Sequence, residues 1–205
     1  MNKFDELADS PVIEKTVRAL NSNGIETIVV ENGEEAKKKA LEILPEGKEI
    51  MTMVSVTLDT ISLSTEVNKE GGKYKPVRDK LYAMDRETQA KEMKSLGSTP
   101  DWAIGSVHAI TQDGQILVAS ATGSQLPAYA YGAINVLWIV GGQKIVKNLE
   151  EGLKRIYEYV LPLESERAKK AYGVPGSSVN KILIISKEAQ PGRIKVILVK
   201  EKLGF

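Results

Sequence analysis

Residues 121–132 read ATGSQLPAYAYG, so two hydroxyls, a glycine and an amide sit side by side just ahead of a proline. Thr122, Gly123, Ser124 and Gln125 follow an apolar run, and Pro127 suits the first turn of a helix. Gly123 lets the backbone turn without a Cβ clash. Free backbone N–H groups at a helix start, joined by two hydroxyls, make a pocket for a small anion such as a carboxylate or phosphate. The plain alternative is a helix cap in which Ser124 satisfies the start. The spacing matches neither a P-loop nor a GxGxxG dinucleotide fingerprint.

Ser55, Thr57 and Asp59, in SVTLD, also follow an apolar run. In open parallel sheets ligands sit at the carboxyl ends of strands, where these side chains could hydrogen-bond a sugar, hydroxy acid or phosphate. Helix capping is the competing use. Lys144 follows Gly141-Gly142-Gln143 at another strand end, placed either to reach an anion or to stand in solvent. His108, the single histidine, is the candidate general base, or else a hydrogen-bonded residue of the core. Glu164, Arg167, Asn180 and Lys181 form a polar group along the chain, with Glu164–Arg167 most simply a helix-surface pair. One histidine gives no spacing test for a Ser-His-Asp triad. The carboxylates never cluster as a magnesium or calcium site requires, and no metal site is expected.

The elements that must position these residues follow from periodicity and caps. Ser10-Pro11 starts a helix carrying Ile13, Val17 and Leu20, which Gly24 can end. Residues 25–30 read as a strand; Asn32 then caps a helix with Glu34 and Glu35 in its first turn, before a strand over 50–54. A long helical pattern carries Val77, Leu81, Met84, Met93 and Leu96, with Gly97 as its end. Residues 102–121 predict a β-hairpin around Asp113-Gly114. A two-residue turn there would set His108 opposite Ala119 and Gly105 opposite Thr122. Residues 134–140 are a further buried strand. Asn148 caps a helix with Glu150–Lys154 and Glu151–Arg155 as i,i+4 pairs, and Pro162 is expected to break or kink it. Closing strands are expected at 181–186 and 194–199. Helices alternating with strands predict an α/β fold in residues 1–205, a mostly parallel sheet flanked by helices and carrying the hairpin.

Composition narrows the function. From Trp102 to Gln143, Asp113 is the only charged residue, where an average stretch would hold about ten. That segment is read as the buried centre, and its polar residues Ser106, His108, Thr122, Ser124, Gln125 and Asn135 need partners or a ligand. Its most apolar run is too short to span a bilayer and contains Gly132 and Asn135, so no membrane is expected. A net charge of +1 excludes nucleic-acid binding by bulk electrostatics. Without cysteine, disulfides, thiolate zinc sites and cysteine-held iron–sulfur clusters are excluded, and the composition fits a cytoplasmic protein.

The segments GSVHAITQDGQILVASATGSQLPAYAYGA, INVLWIVGGQKIV, NLEEGLKRIYEYVLPLESERAKKAYG and GRIKVILVKEKLGF together resemble the LUD-domain family, the lactate-utilisation proteins. The resemblance covers nearly the whole chain and implies a NagB/RpiA/CoA-transferase-like fold. It implies a part in oxidising lactate to pyruvate alongside partner subunits that carry iron–sulfur clusters; a chain without cysteine resembles the cluster-free type. Many members carry a carboxylate where this chain has Ala121, so no acidic role transfers there. The expected function is therefore binding of a small anionic metabolite or nucleotide, a phosphate-containing ligand included, in 2-hydroxy-acid utilisation. The chain is not expected to oxidise lactate alone, because its side chains cannot accept a hydride. A stand-alone enzyme of the same fold and a regulatory binding module are the alternatives. A two-fold homodimer is the expected assembly.

Overall fold

The computed structural model describes residues 2–205. In chain order it holds α1 (Ser10–Ser22), β1 (Glu26–Val30), α2 (Gly33–Ile43), β2 (Glu49–Thr52), α3 (Val56–Thr60), α4 (Leu63–Val67), β3 (Lys75–Pro76), α5 (Val77–Ala83), α6 (Ala90–Ser98) and β4 (Trp102–Gly105). There follow β5 (Ala109–Thr111), β6 (Ile116–Ser120), β7 (Asn135–Gly141), β8 (Ile145–Val146), α7 (Leu149–Arg155), α8 (Leu161–Tyr172), β9 (Lys181–Ile185) and β10 (Ile194–Val199).

Six strands in the order β1-β10-β7-β4-β2-β3 form a wholly parallel sheet. Its central strands β7 and β10 are apolar on both faces, as strands covered on both sides must be. On one face Leu137, Ile139, Ile197 and Val199 pack against Ala36 and Ala40 of α2 and Leu58 and Leu63 of α3 and α4. On the other, Val136, Trp138, Val140 and Val196 meet Ile13 and Leu20 of α1 and Ile110, Ile116 and Val118 of the hairpin. The hairpin belongs to a second sheet, β8-β5-β6-β9, so half of that face is covered by strands. A third cluster, with Ala109, Leu117 and Ile156 at its centre, seals the far side of this second sheet under α7.

The expected hairpin is shorter than its sequence outline. Residues 102–105 leave it to pair with β2 and β7 in the main sheet, so Gly105 lies beside Trp138 and not Thr122. The register is also displaced by one: Ala109 faces Leu117 and Ile110 faces Ile116. The cause is the turn. The Gly114 N–H donates to Thr111 O (2.8 Å) and Gly114 takes φ +79°, so a three-residue loop with a glycine bulge replaces the two-residue turn.

The long pattern over 77–96 is two short helices. Between them the Asp85 carboxylate accepts from the Glu87 N–H (2.9 Å) and the Thr88 hydroxyl (2.9 Å) and restarts the chain. Gly97 lies inside α6, which ends at Ser98. Pro162 does not break its helix: a π-turn over Ile156–Val160 joins α7 to α8 and absorbs the missing N–H. No helix among the described residues is long and apolar enough to cross a membrane.

Candidate functional site

The sheet has a switch point between β2 and β4. The chain leaves β2 toward β3 on one side, and leaves β4 toward β7 on the other. Adjacent strands whose connections diverge open a crevice beyond their carboxyl ends, the usual place for a ligand. Three segments follow these strand ends: the start of α3 after β2, Ser106 after β4, and the single turn Gly142–Lys144 after β7.

Lys144 lies where these three segments meet. Its side chain is 1% exposed. The Nζ donates to Thr57 Oγ1 (3.0 Å) and Ser106 Oγ (3.1 Å). It is in no ion pair among the described residues, whereas the exposed lysines of this chain pair repeatedly with carboxylates. Burial, reinforced by the positive charge of Arg155, holds its pKa well below the ordinary lysine value. The Thr57 hydroxyl is itself buried and donates to Leu203 O (3.1 Å).

Arg155 is a second buried cation in no ion pair among the described residues. Gly152, Arg155 and Ile156 lie on the inward stripe of α7 and its extension. The guanidinium donates from Nη1 to His108 O (2.6 Å) and from Nη2 to Phe4 O (3.4 Å), stands over the Tyr159 ring, and leaves Nε without a partner. The Glu151–Arg155 pair expected on the helix surface is therefore absent: Glu151 meets Lys3 (3.5 Å) while Arg155 turns inward. Glu150–Lys154 (2.6 Å) and the bidentate Glu164–Arg167 pair (2.7 Å for each bond) form as read from the sequence.

His108 is half-buried between the two sheets, and although the displaced register no longer sets it opposite Ala119, its ring reaches that residue's backbone. Nδ1 accepts from the Ala119 N–H (3.0 Å), which puts the ring proton on Nε2. Desolvation first, then Lys144 and Arg155, push its pKa down to about 3. With its lone pair engaged by the backbone, the ring offers the site an N–H donor and not a base.

The other expected residues take different places. Ser55 caps α3 by accepting from the Leu58 N–H (3.4 Å), and Asp59 is exposed on that helix. Residues 122–125 form a self-satisfied turn. Thr122 Oγ1 bonds Ser124 Oγ (3.2 Å), the Gly123 N–H donates to Ser120 Oγ (2.8 Å), and Gln125 Oε1 accepts from Ser120 Oγ (2.9 Å). The cation bonded to this turn is Lys181, whose Nζ donates to Thr122 O (3.0 Å), and Asn180 holds Ala121 O (3.1 Å). Lys144 makes no hydrogen bond to it and bonds Thr57 and Ser106 instead.

Gln143 and Ser106 complete the crevice. Gln143 Nε2 donates to Leu203 O and Gly204 O (3.1 Å each), so residues 203–204 are strapped across the strand ends beside Lys144. Ser106 carried a readable signal, a hydroxyl in an uncharged stretch; Gln143 carried none. A separate open crevice of about 460 Å³ lies at the ends of β1 and β10, lined by Asn32, Glu34, Thr60, Ser62 and Glu201. There the Glu201 carboxylate already accepts the Gly33 N–H at the start of α2 (2.8 Å).

The donor set does not fit an iron–sulfur cluster. There is no cysteine in the sequence, and no group of three or more His, Cys, Asp or Glu among the described residues could hold a metal ion.

A family model described as the LUD domain matches residues 13–199. Among solved structures, a DUF162 family protein from Deinococcus radiodurans is similar over 95% of this chain and 99% of its own, with a TM-score of 0.57 at 13% identity. The eIF2B delta of Chaetomium thermophilum aligns over 70% of this chain and 57% of its own, at a TM-score of 0.35 and 14% identity. No functionally curated protein matches the sequence.

Proposed function

We propose that this chain, which belongs to the LUD-domain family associated with lactate-utilisation proteins, binds a small anionic metabolite, a 2-hydroxy or 2-oxo acid, at Lys144. One observation carries the reading: a fully buried lysine at the switch point, bonded to two hydroxyls and to no carboxylate. A buried lysine with no ion-pair partner leaves that place open to an arriving anion. Arg155 adds a positive field, and His108 Nε2–H and Ser106 supply neutral donors around the same place. The substrate's redox chemistry belongs to a separate cofactor-bearing partner in this reading, because the side chains here accept no hydride. Two-fold assembly and a cytoplasmic location are parts of the same proposal.

The test is thermal unfolding of the purified chain with pyruvate, lactate or inorganic phosphate at millimolar concentration. A ligand at a hundred times its Kd stabilises by about 2.7 kcal/mol, roughly 5–10 °C in Tm for a chain of this size. Lys144→Met should stay folded, at equal or higher Tm, and lose the shift. Absence of a shift with all three probes, or an equal shift in the variant, would overturn the reading.

A further inference from the structure

We propose that Lys144 is a covalent nucleophile whose amine condenses with the carbonyl carbon of a small 2-oxo acid to form an imine. The inference rests on the reading of this crevice as an anion site and adds a reaction to it. An ammonium group has three N–H donors, whereas the neutral amine has two and a lone pair. Nζ has two acceptors, Thr57 Oγ1 and Ser106 Oγ. Those two partners match the amine's two N–H groups, while an ammonium would keep one buried N–H unmatched. Thr57 cannot turn its proton toward Nζ, since that proton is given to Leu203 O (3.1 Å). Desolvation and a neighbouring cation are the two conditions that activate a lysine, and Lys144 has both, in its burial and in Arg155.

Ser106 is the way in. It is half-buried where Thr57 is closed off, and its hydroxyl makes no hydrogen bond besides the one to Lys144 among the described residues. In the reaction the Nζ lone pair attacks the carbonyl carbon and the C=O π pair moves to oxygen. That oxygen takes up a proton as Nζ gives one up, with the Ser106 hydroxyl placed to pass it. The carbinolamine then loses water, so amine plus ketone give imine plus water and no oxidant or reductant takes part.

The experiment is reductive trapping. The full chain is incubated with pyruvate and cyanoborohydride at neutral pH, digested and mapped by mass spectrometry, while the thermal shift with pyruvate alone is recorded in parallel. The expected result is one reduced pyruvyl group on Lys144, absent in Lys144→Arg, with exposed lysines such as Lys91 and Lys94 modified several-fold more slowly. No adduct, or adducts on exposed lysines with Lys144 unmodified, would overturn the proposal. A thermal shift without the adduct sinks the imine and leaves anion binding standing. An adduct on Lys144 without a shift does the reverse.

Discussion

Lys144 and His108 are both pushed toward their uncharged forms by the same surroundings, and both therefore link stability to pH. Burial lowers the pKa of each, so in each case the unfolded chain holds its proton more tightly than the folded chain does. For His108 the window runs from the ordinary value of 6.5 down to about 3. Its contribution is complete above that window and is lost as pH falls through it, with a slope approaching about 1.36 kcal/mol per pH unit. His108→Gln keeps an acceptor for the Ala119 N–H but does not titrate. Urea unfolding measured at a series of pH values should give a variant curve flatter than wild type between these limits, by up to about 1 kcal/mol per pH unit. Parallel curves would show that the ring is not excluded from protonation. The sign for Lys144 is the same, with stability rising toward alkaline pH below 10.5, which is why Lys144→Met is expected to cost no stability.

At the level of elements, the crevice is closed by a strap without regular structure. Residues 203–204 lie across the strand ends, gripped by Thr57 and by the Gln143 amide. Gly204 takes φ +62°, and a Cβ there would stand 2.9 Å from the Thr57 nitrogen, so the strap can rest against α3 only with glycine at this position. Gly204→Ala should lift the strap from Thr57 while Leu203, buried in the core, keeps its anchor. The expected outcome is a several-fold faster reaction of Lys144 with trinitrobenzenesulfonate, read by peptide mapping, and a Tm lowered by a few degrees for about 1–2 kcal/mol of strain. An unchanged labelling rate would mean that the strap does not control access. The hairpin makes the same point about backbone. Gly114 packs against the end of α1, within 2.9 Å of Leu20 N for an added Cβ, so its bulge sets the register that carries His108 to Ala119.

Across the whole molecule, the two sheets divide the work. The parallel sheet supplies the crevice through the divergence of β2 and β4, and the second sheet with α7 carries His108 and Arg155 to its side. The side chains accept no electrons and offer no cysteine to a cluster, and in the proposed reading the redox centre sits on a partner. The purified chain should therefore give no lactate-dependent dye reduction and no flavin-like or cluster-like absorption, while still responding to pyruvate in thermal unfolding. Dye reduction accompanied by such absorption would place the redox centre on this chain.

Much of this was legible in the residues themselves. Apolar periodicity, the caps at Asn32 and Asn148 and the uncharged stretch from 102 to 143 identify α1, α2 and α7, the buried strands and the α/β class, because each depends on neighbours within a turn or two. Lys144 and Thr57 were visible as polar groups at strand ends. Their meeting, 87 positions apart, was not, since it depends on strand order and on where the connections diverge. The same holds for Arg155, whose spacing allows a surface pair with Glu151 until packing turns it toward His108 O. Local sequence determines which groups need partners. Which partner each finds is a question of long-range packing, and here it drew Thr57 and Lys144 into one crevice while leaving Thr122 to Gln125 satisfied among themselves.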